Sequence, residues 1–126
     1  MINTLAIFIA GGIGAVLRYL TGVFCTRFVA CNLPIATLSV NIIGSFILAI
    51  LFVFFINKTD INQSIKLALM VGFCGGFTTF STFSLEVFEL LKNGNYLLGI
   101  SYIIISLALC LIATLLGFKL GEFIST

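Results

Sequence analysis

The residues best suited to bind an ion form one run of glycine, phenylalanine and hydroxyl side chains. The run covers 72–84 and reads GFCGGFTTFSTFS, with five hydroxyl side chains after the glycines. Because glycine, serine and threonine favour helix weakly, backbone groups can be freed here. Freed carbonyls near Gly75 and Thr78 suit a small hard cation, whereas hydroxyls, amide N–H groups and a helix N-terminus suit an anion. The run therefore indicates an ion-binding site, and its groups suit either a cation or an anion.

Two further residue types can contact an anion. Phe80 and Phe83 are three positions apart, so on a helix their electropositive ring edges can point into one groove. Asn41, within the segment SVNIIGS, carries an amide that can donate two hydrogen bonds. The alternatives are core packing for the phenylalanines and a contact between helices for Asn41.

A second polar series recurs every four residues towards the end of the chain. Its members fall on one helical stripe that drifts slowly around the axis. They are Tyr102, Ser106, Cys110 and Thr114. Cys110 interrupts the hydroxyl pattern, and a thiol is a weaker donor. The alternative is that these side chains form hydrogen bonds between helices. For Tyr102, this alternative and an ion-lining role have equal weight.

The composition indicates that these residues lie in a membrane. Of 126 residues, 61% are hydrophobic and 8% are charged, and the mean hydropathy is +1.31. So few charges cannot form a water-exposed surface, and six scattered basic residues do not form a nucleic-acid interface. With no histidine and only four acids, no acid–base or covalent catalytic arrangement can be assembled, so we expect no enzyme. Cys25, Cys31, Cys74 and Cys110 lack CxxC spacing and are interpreted as small apolar residues.

The elements that must position the polar residues are four apolar stretches of membrane-spanning length. These are 5–24, 35–56, 65–91 and 96–120, which predict an all-α, four-helix transmembrane domain over residues 1–126. A continuous helix over 65–91 would be about 40 Å long and would exceed the hydrocarbon core by about 10 Å. We therefore predict that the third helix is broken at its glycine and hydroxyl run, where unwound backbone can form ion sites. The alternative is that the hydroxyls bond back to their own helix.

Charge is almost evenly divided between the two membrane sides. One side carries Lys58, Lys66 and Lys119, and the other carries Arg27 and Lys92. Either a weak bias sets one orientation, or the chain inserts both ways and pairs with an inverted copy. Pairs of small residues four positions apart allow helices to approach closely. They serve either contacts between copies or packing within one subunit, and the two interpretations have equal weight. The pairs are Ala10/Gly14, Gly11/Ala15, Gly72/Gly76 and Gly117/Gly121.

Three segments together resemble the Fluc (CrcB) family of bacterial fluoride channels. They are GGIGAVLRY at 11–19, VNIIGSF at 40–46 and GFCGGFTTFSTFSLE at 72–86, and the similarity runs along the whole chain. The resemblance implies an antiparallel, dual-topology homodimer of broken-helix subunits with two fluoride pores at the subunit interface. It also implies a structural sodium ion, not transported, which backbone carbonyls of Gly75 and Thr78 from both subunits hold at the dimer centre.

The resemblance further implies roles for individual residues. Arg18 would lie in a vestibule that attracts anions. The residues along the fluoride path would be Asn41, Phe80, Ser81, Thr82 and Phe83, with Tyr102, Ser106, Cys110 and Thr114 on the fourth span.

The function expected from this resemblance is passive, fluoride-selective conduction in the bacterial cytoplasmic (inner) membrane. A negative interior drives an anion outward by about 2.3 kcal/mol per 100 mV, so export would lower fluoride toxicity. One alternative is a small proton-coupled multidrug exporter, which needs a carboxylate within the membrane. Span one contains Arg18 but no acid, and Glu86 lies near one end of span three with Glu89. A non-conducting structural subunit is a second alternative.

Overall fold

A computed structural model describes residues 1–29, 32–58 and 60–125, and most of these residues are helical. Four stretches are long and apolar enough to cross a membrane: Ile2–Phe28, Ile35–Asn57, Gln63–Lys92 and Tyr96–Ser125. The prediction of an all-helical chain with four such stretches is therefore confirmed. Each extends past the bounds expected from hydropathy, because a helix can continue into its polar flanks. Cys31 lies outside the described residues.

The helices follow one another with short connections. They are α1 (Ile2–Phe28), α2 (Ile35–Asn57), α3 (Gln63–Leu67), the π-helical segment π1 (Ala68–Cys74), α4 (Gly75–Phe77), α5 (Phe80–Lys92) and α6 (Tyr96–Ser125). Between α4 and α5, Thr78 (φ −83°, ψ 160°) and Thr79 (φ −154°, ψ 122°) have extended backbone. These two residues lie near the middle of the third apolar stretch.

Two polar contacts bring the start of α1 and the end of α2 against α3 at one end of the molecule. The Ser64 hydroxyl donates to Oδ1 of Asn3, and Nζ of Lys66 donates to the Phe55 carbonyl at 3.3 Å. Asn62 caps α3 by accepting from the Ser64 amide at 2.8 Å. The chain therefore crosses back and forth between two ends, as four consecutive spans require.

Glycines let the helices of this one chain approach closely. A Cβ atom at Gly14 of α1 would overlap the Phe73 carbonyl, and one at Gly117 of α6 would overlap the Phe46 carbonyl of α2. A Cβ at Gly121 would lie 2.9 Å from Cβ of Val53. Of the two readings of the small-residue spacings, the chain therefore uses them for packing within one subunit, where small residues permit backbone contact.

A small apolar cluster joins α2, α5 and α6 beside the extended residues. Its buried members are Leu38, Phe83 and Tyr102. Elsewhere the outward faces carry large apolar side chains such as Phe8, Leu97 and Leu111. In a bilayer, such faces meet acyl chains at no desolvation cost.

The glycine contacts predict opposite effects of two matched substitutions. Gly117→Ala should destabilise the protein by about 1–3 kcal/mol, because the added methyl meets backbone that cannot move aside easily. Gly12→Ala, where a Cβ meets nothing within 4 Å, should be neutral or slightly stabilising because alanine favours helix. Thermal unfolding of both variants in detergent measures this difference. Equal transition temperatures for the two would contradict the close α2–α6 contact.

Candidate ion-binding site

The side chain of Asn41 holds the extended residue Thr79 through two hydrogen bonds. Its Nδ2 donates to the Thr79 carbonyl at 3.0 Å, and its Oδ1 accepts from the Thr79 amide at 2.8 Å. One amide thus replaces both bonds that a continuous helix would give this residue. Since unpaired backbone groups are costly in hydrocarbon, this pairing allows extended backbone to exist inside the third apolar stretch.

The same arrangement removes the helical donors of several carbonyl oxygens, among them those of Gly75 and Thr78. In a continuous helix the Gly75 carbonyl would accept from the Thr79 amide, and the Thr78 carbonyl would accept from the Thr82 amide. The Thr79 amide instead donates to Asn41, and the Thr82 amide donates to Oγ1 of Thr79 at 3.2 Å. Gly75 is exposed and Thr78 is half-buried. The two carbonyls that the sequence predicted as cation ligands are therefore among those that lack their helical donors.

Hydroxyl groups gather at the N-terminus of α5. Oγ1 of Thr79 donates to Oγ1 of Thr82 at 3.1 Å and lies 3.3 Å from Oγ of Ser81. Ser81 and Thr82 are exposed on the surface of the chain. Helix N-termini carry partial positive charge and amides without a partner in the helix. This end of α5 therefore offers several donors to an anion.

Most of the predicted anion contacts line one cleft of about 270 Å³, which we name the central cleft. Its lining residues are Asn41, Ser45, Leu48, Thr78, Thr79, Phe80, Phe83, Ser106, Leu107 and Cys110. None of these side chains carries a charge. The cleft brings α2 and α6 against the extended segment and the start of α5, although these residues are far apart in sequence.

Among the lining residues of the central cleft, Ser106 has an unused hydroxyl. Its exposed fraction is 6%, and Oγ has no hydrogen-bond partner in the part of the chain that the structure describes. A buried hydroxyl without a partner is costly. Because Oγ is itself closed off from solvent, it lies in the packed interior beside the cleft and not in its open space. The rings of Phe80 and Phe83 lie 5.6 Å apart, and Phe80 is 74% exposed whereas Phe83 is 9% exposed. One ring is therefore anchored in the chain and the other lies at its surface.

The four polar residues predicted to form one stripe on α6 have different environments in the structure. The Tyr102 hydroxyl donates to Oε2 of Glu86 at 2.8 Å, and Thr37 donates to Oε1 of the same carboxylate at 2.7 Å. Tyr102 is fully buried, with its ring 5.1 Å from that of Phe83, and does not line the central cleft. Thr114 donates to the Cys110 carbonyl at 2.9 Å. Ser106 and Cys110 are thus the two members of the series that line the cleft.

Arg18 lines a separate cleft of about 590 Å³, which we name the Arg18 cleft. Thr37, Thr82 and Glu86 also line it, together with residues from one face of α1 and from α2. Thr79 lines both clefts, so it stands between them. Arg18 is half-buried, which places a positive charge beside the polar end of α5.

Two polar residues that line the central cleft were not expected from the sequence. Ser45 follows Asn41 by four positions, so helical spacing alone places it on the same face. Thr79 precedes Thr82 by three positions, which is the spacing of an N-cap threonine and the amide it accepts from. Both signals are present in the sequence, but they become informative only when the position of the helix end is known.

Comparison with known proteins gives consistent similarities. The family model described as CrcB-like protein, Camphor Resistance (CrcB), matches residues 5–118. A protein of Gloeothece citriformis named fluoride-specific ion channel FluC is 47% identical over 95% of this chain and 97% of its own length. Proteins with the same name from Serratia proteamaculans and Phocaeicola vulgatus are 41% and 42% identical. They align with 98% and 97% of this chain and with 96% and 100% of their own lengths, respectively.

The contacts of Asn41 predict a graded loss of stability. Asn41→Ala leaves both backbone groups of Thr79 unpaired, and each unpaired buried group costs about 1–3 kcal/mol. Asn41→Asp retains the acceptor for the Thr79 amide but loses the donor to its carbonyl. Ser45→Ala, in the same cleft, is the matched control and should change stability little. Chemical unfolding in detergent micelles should rank the alanine variant of Asn41 as least stable, and a ranking in which Ser45→Ala is equally destabilised would refute this role.

Proposed function

The chain belongs to the CrcB-like protein family, and we propose that it is a fluoride-selective channel that conducts passively. Its family is one of ion channels and not of enzymes. The similarity to proteins named fluoride-specific ion channel extends over nearly the whole chain, including the residues of the central cleft. The observation that carries the proposal is the uncharged, donor-lined central cleft at the N-terminus of α5.

The chemistry of the central cleft suits a small, strongly hydrated anion. A pore for such an ion must replace its water with donors and dipoles while avoiding a full charge that would trap it. The second amide proton of Asn41 and the ring edges of Phe80 and Phe83 are donors or dipoles of this kind. Arg18 in the neighbouring cleft raises the local anion concentration without entering the central cleft.

Conduction through this chain would export fluoride from the cytoplasm. The protein is a multi-pass membrane protein, and we place it in the bacterial inner membrane on the basis of its bacterial relatives. A negative-inside potential drives anions outward by about 2.3 kcal/mol per charge per 100 mV. Passive outward flow lowers internal fluoride and thereby its toxicity.

The working unit would be two inverted copies, each with its third helix interrupted at Thr78 and Thr79. Gly75, Ser81, Thr82 and most of the Phe80 ring are exposed on a single chain, near the middle of an apolar span. Polar groups at this depth must be covered by protein or line water, so a second copy is the natural cover. The nearly equal division of charge between the two ends favours insertion in both orientations.

A structural sodium ion would lie where the two copies meet. The carbonyls of Gly75 and Thr78 are hard oxygen ligands without their helical donors, which is the chemistry that sodium requires. In the described ranges of the chain, no three His, Cys, Asp or Glu side chains are grouped to hold a metal. Two carbonyls leave most of the ion's coordination unfilled, whereas both copies together supply twice as many. When bound, the ion would neutralise these dipoles and link the copies.

The alternative of a proton-coupled drug exporter finds less support. Such an exporter needs a carboxylate that exchanges a proton for a cationic substrate within the membrane. Both oxygens of Glu86 already accept hydrogen bonds, from Thr37 and Tyr102. Its contacts therefore favour a fixed carboxylate that holds α2, α5 and α6 together.

The first test is fluoride efflux from liposomes that contain the purified protein. Valinomycin shorts the membrane potential, a fluoride electrode follows release, and chloride-loaded vesicles serve as the control. We expect rapid fluoride release with chloride retained. Phe83→Ile keeps the bulk of the side chain but removes the ring edge, and it should slow fluoride release by about tenfold, equivalent to about 1.4 kcal/mol. Vesicles that retain their fluoride would argue against the channel. An unchanged efflux rate in the isoleucine variant would argue against the contact between the ion and the Phe83 ring.

A second test addresses the paired assembly and its sodium ion. In sodium buffer, light scattering of the detergent-solubilised protein should give the mass of two chains. Replacing sodium by N-methylglucamine should lower fluoride efflux or dissociate the pair, because the carbonyl oxygens then lack their cation. Refilling with sodium should restore the flux. A single-chain mass in sodium contradicts the pair, and full activity after complete sodium removal contradicts the ion.

A further inference from the structure

Gly44 of α2 leaves a notch that receives the methyl group of Thr78. A Cβ atom at Gly44 would overlap Cγ2 of Thr78, whereas Cδ1 of Phe77 and Cβ of Thr78 would lie at ordinary contact distances of 3.4 Å and 3.6 Å. Gly44 is buried, so this contact lies inside the chain. The methyl group of one threonine therefore occupies the space that any larger residue at position 44 would need.

The hydroxyl group of Thr78 fixes the same side chain in a second direction. Oγ1 of Thr78 donates to the Cys74 carbonyl at 2.9 Å, and the Thr78 amide donates to the same oxygen at 3.0 Å. Because the methyl and hydroxyl groups share one Cβ atom, turning the methyl group out of the notch also turns the hydroxyl away from Cys74. A larger residue at position 44 must therefore break this hydrogen bond or displace the backbone of Thr78.

Gly44 and Asn41 contact two successive residues of the extended backbone. They are three positions apart on α2 and so lie on one face of that helix. Asn41 binds the backbone of Thr79 through two hydrogen bonds, and Gly44 contacts the side chain of Thr78. The ψ angle of Thr78 is 160°, which turns its carbonyl away from the path of a helix. The position of that carbonyl thus depends on both contacts with α2.

We propose that Gly44 is a positioning residue for the cation site, because its notch determines where the Thr78 carbonyl lies. This inference rests on the proposed function, in which that carbonyl is a ligand of a structural sodium ion. Gly44 acts through Thr78 and is not a ligand itself. The notch also makes threonine specific at position 78. Serine would lose the methyl group that fills the notch, and valine would lose the hydrogen bond to Cys74.

The experiment follows thermal unfolding of the whole protein in detergent while sodium replaces N-methylglucamine at constant ionic strength. The sodium concentration that gives half of the stabilisation should rise by about tenfold or more in Gly44→Ala, because a displaced carbonyl binds the ion less tightly. Gly12→Ala is the matched control, since a Cβ atom there meets nothing within 4 Å. It should retain the sodium dependence of the unsubstituted protein.

A compensating substitution tests the contact itself. Thr78→Ser removes Cγ2, which the new methyl group of Gly44→Ala would overlap, and retains the hydroxyl that bonds to Cys74. The double variant Gly44→Ala/Thr78→Ser should therefore require sodium within about threefold of Thr78→Ser alone. Gly44→Ala/Thr78→Val retains the overlap and should show no recovery. Where Gly44→Ala alone does not fold, recovery of folding in the serine double variant, and not in the valine one, is the expected result.

The outcomes separate this inference from the proposed function. An unchanged sodium requirement in Gly44→Ala overturns the inference, and so does a serine double variant without recovery. A lower unfolding temperature at every sodium concentration with the same half-maximal concentration also overturns it, because a purely structural role predicts that result. If the stability of the unsubstituted protein does not depend on sodium, the sodium site and the inference fail together. Fluoride efflux from liposomes then decides the channel function separately.

Discussion

The two hydrogen bonds between Asn41 and the backbone of Thr79 are the constraint on which the rest of the site depends. Extended backbone within an apolar span requires a substitute for the lost helical bonds, and one side-chain amide supplies both. Because the Thr79 amide is engaged by α2, the Gly75 carbonyl loses its donor. Because the Thr79 hydroxyl caps α5, the Thr78 carbonyl loses its own. The pairing with Asn41 and the cap by the Thr79 hydroxyl together fix the extended backbone and the start of α5.

Close packing between helices holds the elements around the extended segment in place. α1 lies against π1 and α4 through Gly14, and α6 lies against α2 through Gly117, so neighbouring backbones meet without intervening side chains. Gly44 of α2 meets the Thr78 side chain directly, so a larger residue there would displace the extended segment. Tight contacts within the chain leave the polar start of α5 on the outer surface. Gly14, Gly44 and Gly117 therefore serve packing within the chain, whereas Ser81 and Thr82 are exposed on its surface.

Charged groups are kept at the edge of the site. Glu86 is held by Thr37 and Tyr102, and these contacts link three helices around a carboxylate that faces the Arg18 cleft and not the central cleft. A negative charge beside a fluoride path would repel the ion, whereas hydrogen bonds to fixed hydroxyls reduce its field. Arg18 shares that outer cleft. Charged side chains thus line the larger cleft, and only uncharged side chains line the smaller central cleft.

The sequence alone determined the four apolar spans and the glycine and hydroxyl run in the third of them, because hydropathy and residue type are local properties. It also identified Asn41, Phe80, Phe83, Ser106 and Cys110, which the structure brings to one cleft. Only the tertiary structure decided which groups these side chains contact. The rotation of the helices against one another decides which members of the α6 series line the cleft and pairs Tyr102 with Glu86. It also decides that the small-residue spacings serve packing within one chain. Helical spacing gives the face on which a residue lies, but packing between helices that are distant in sequence determines what that face contacts.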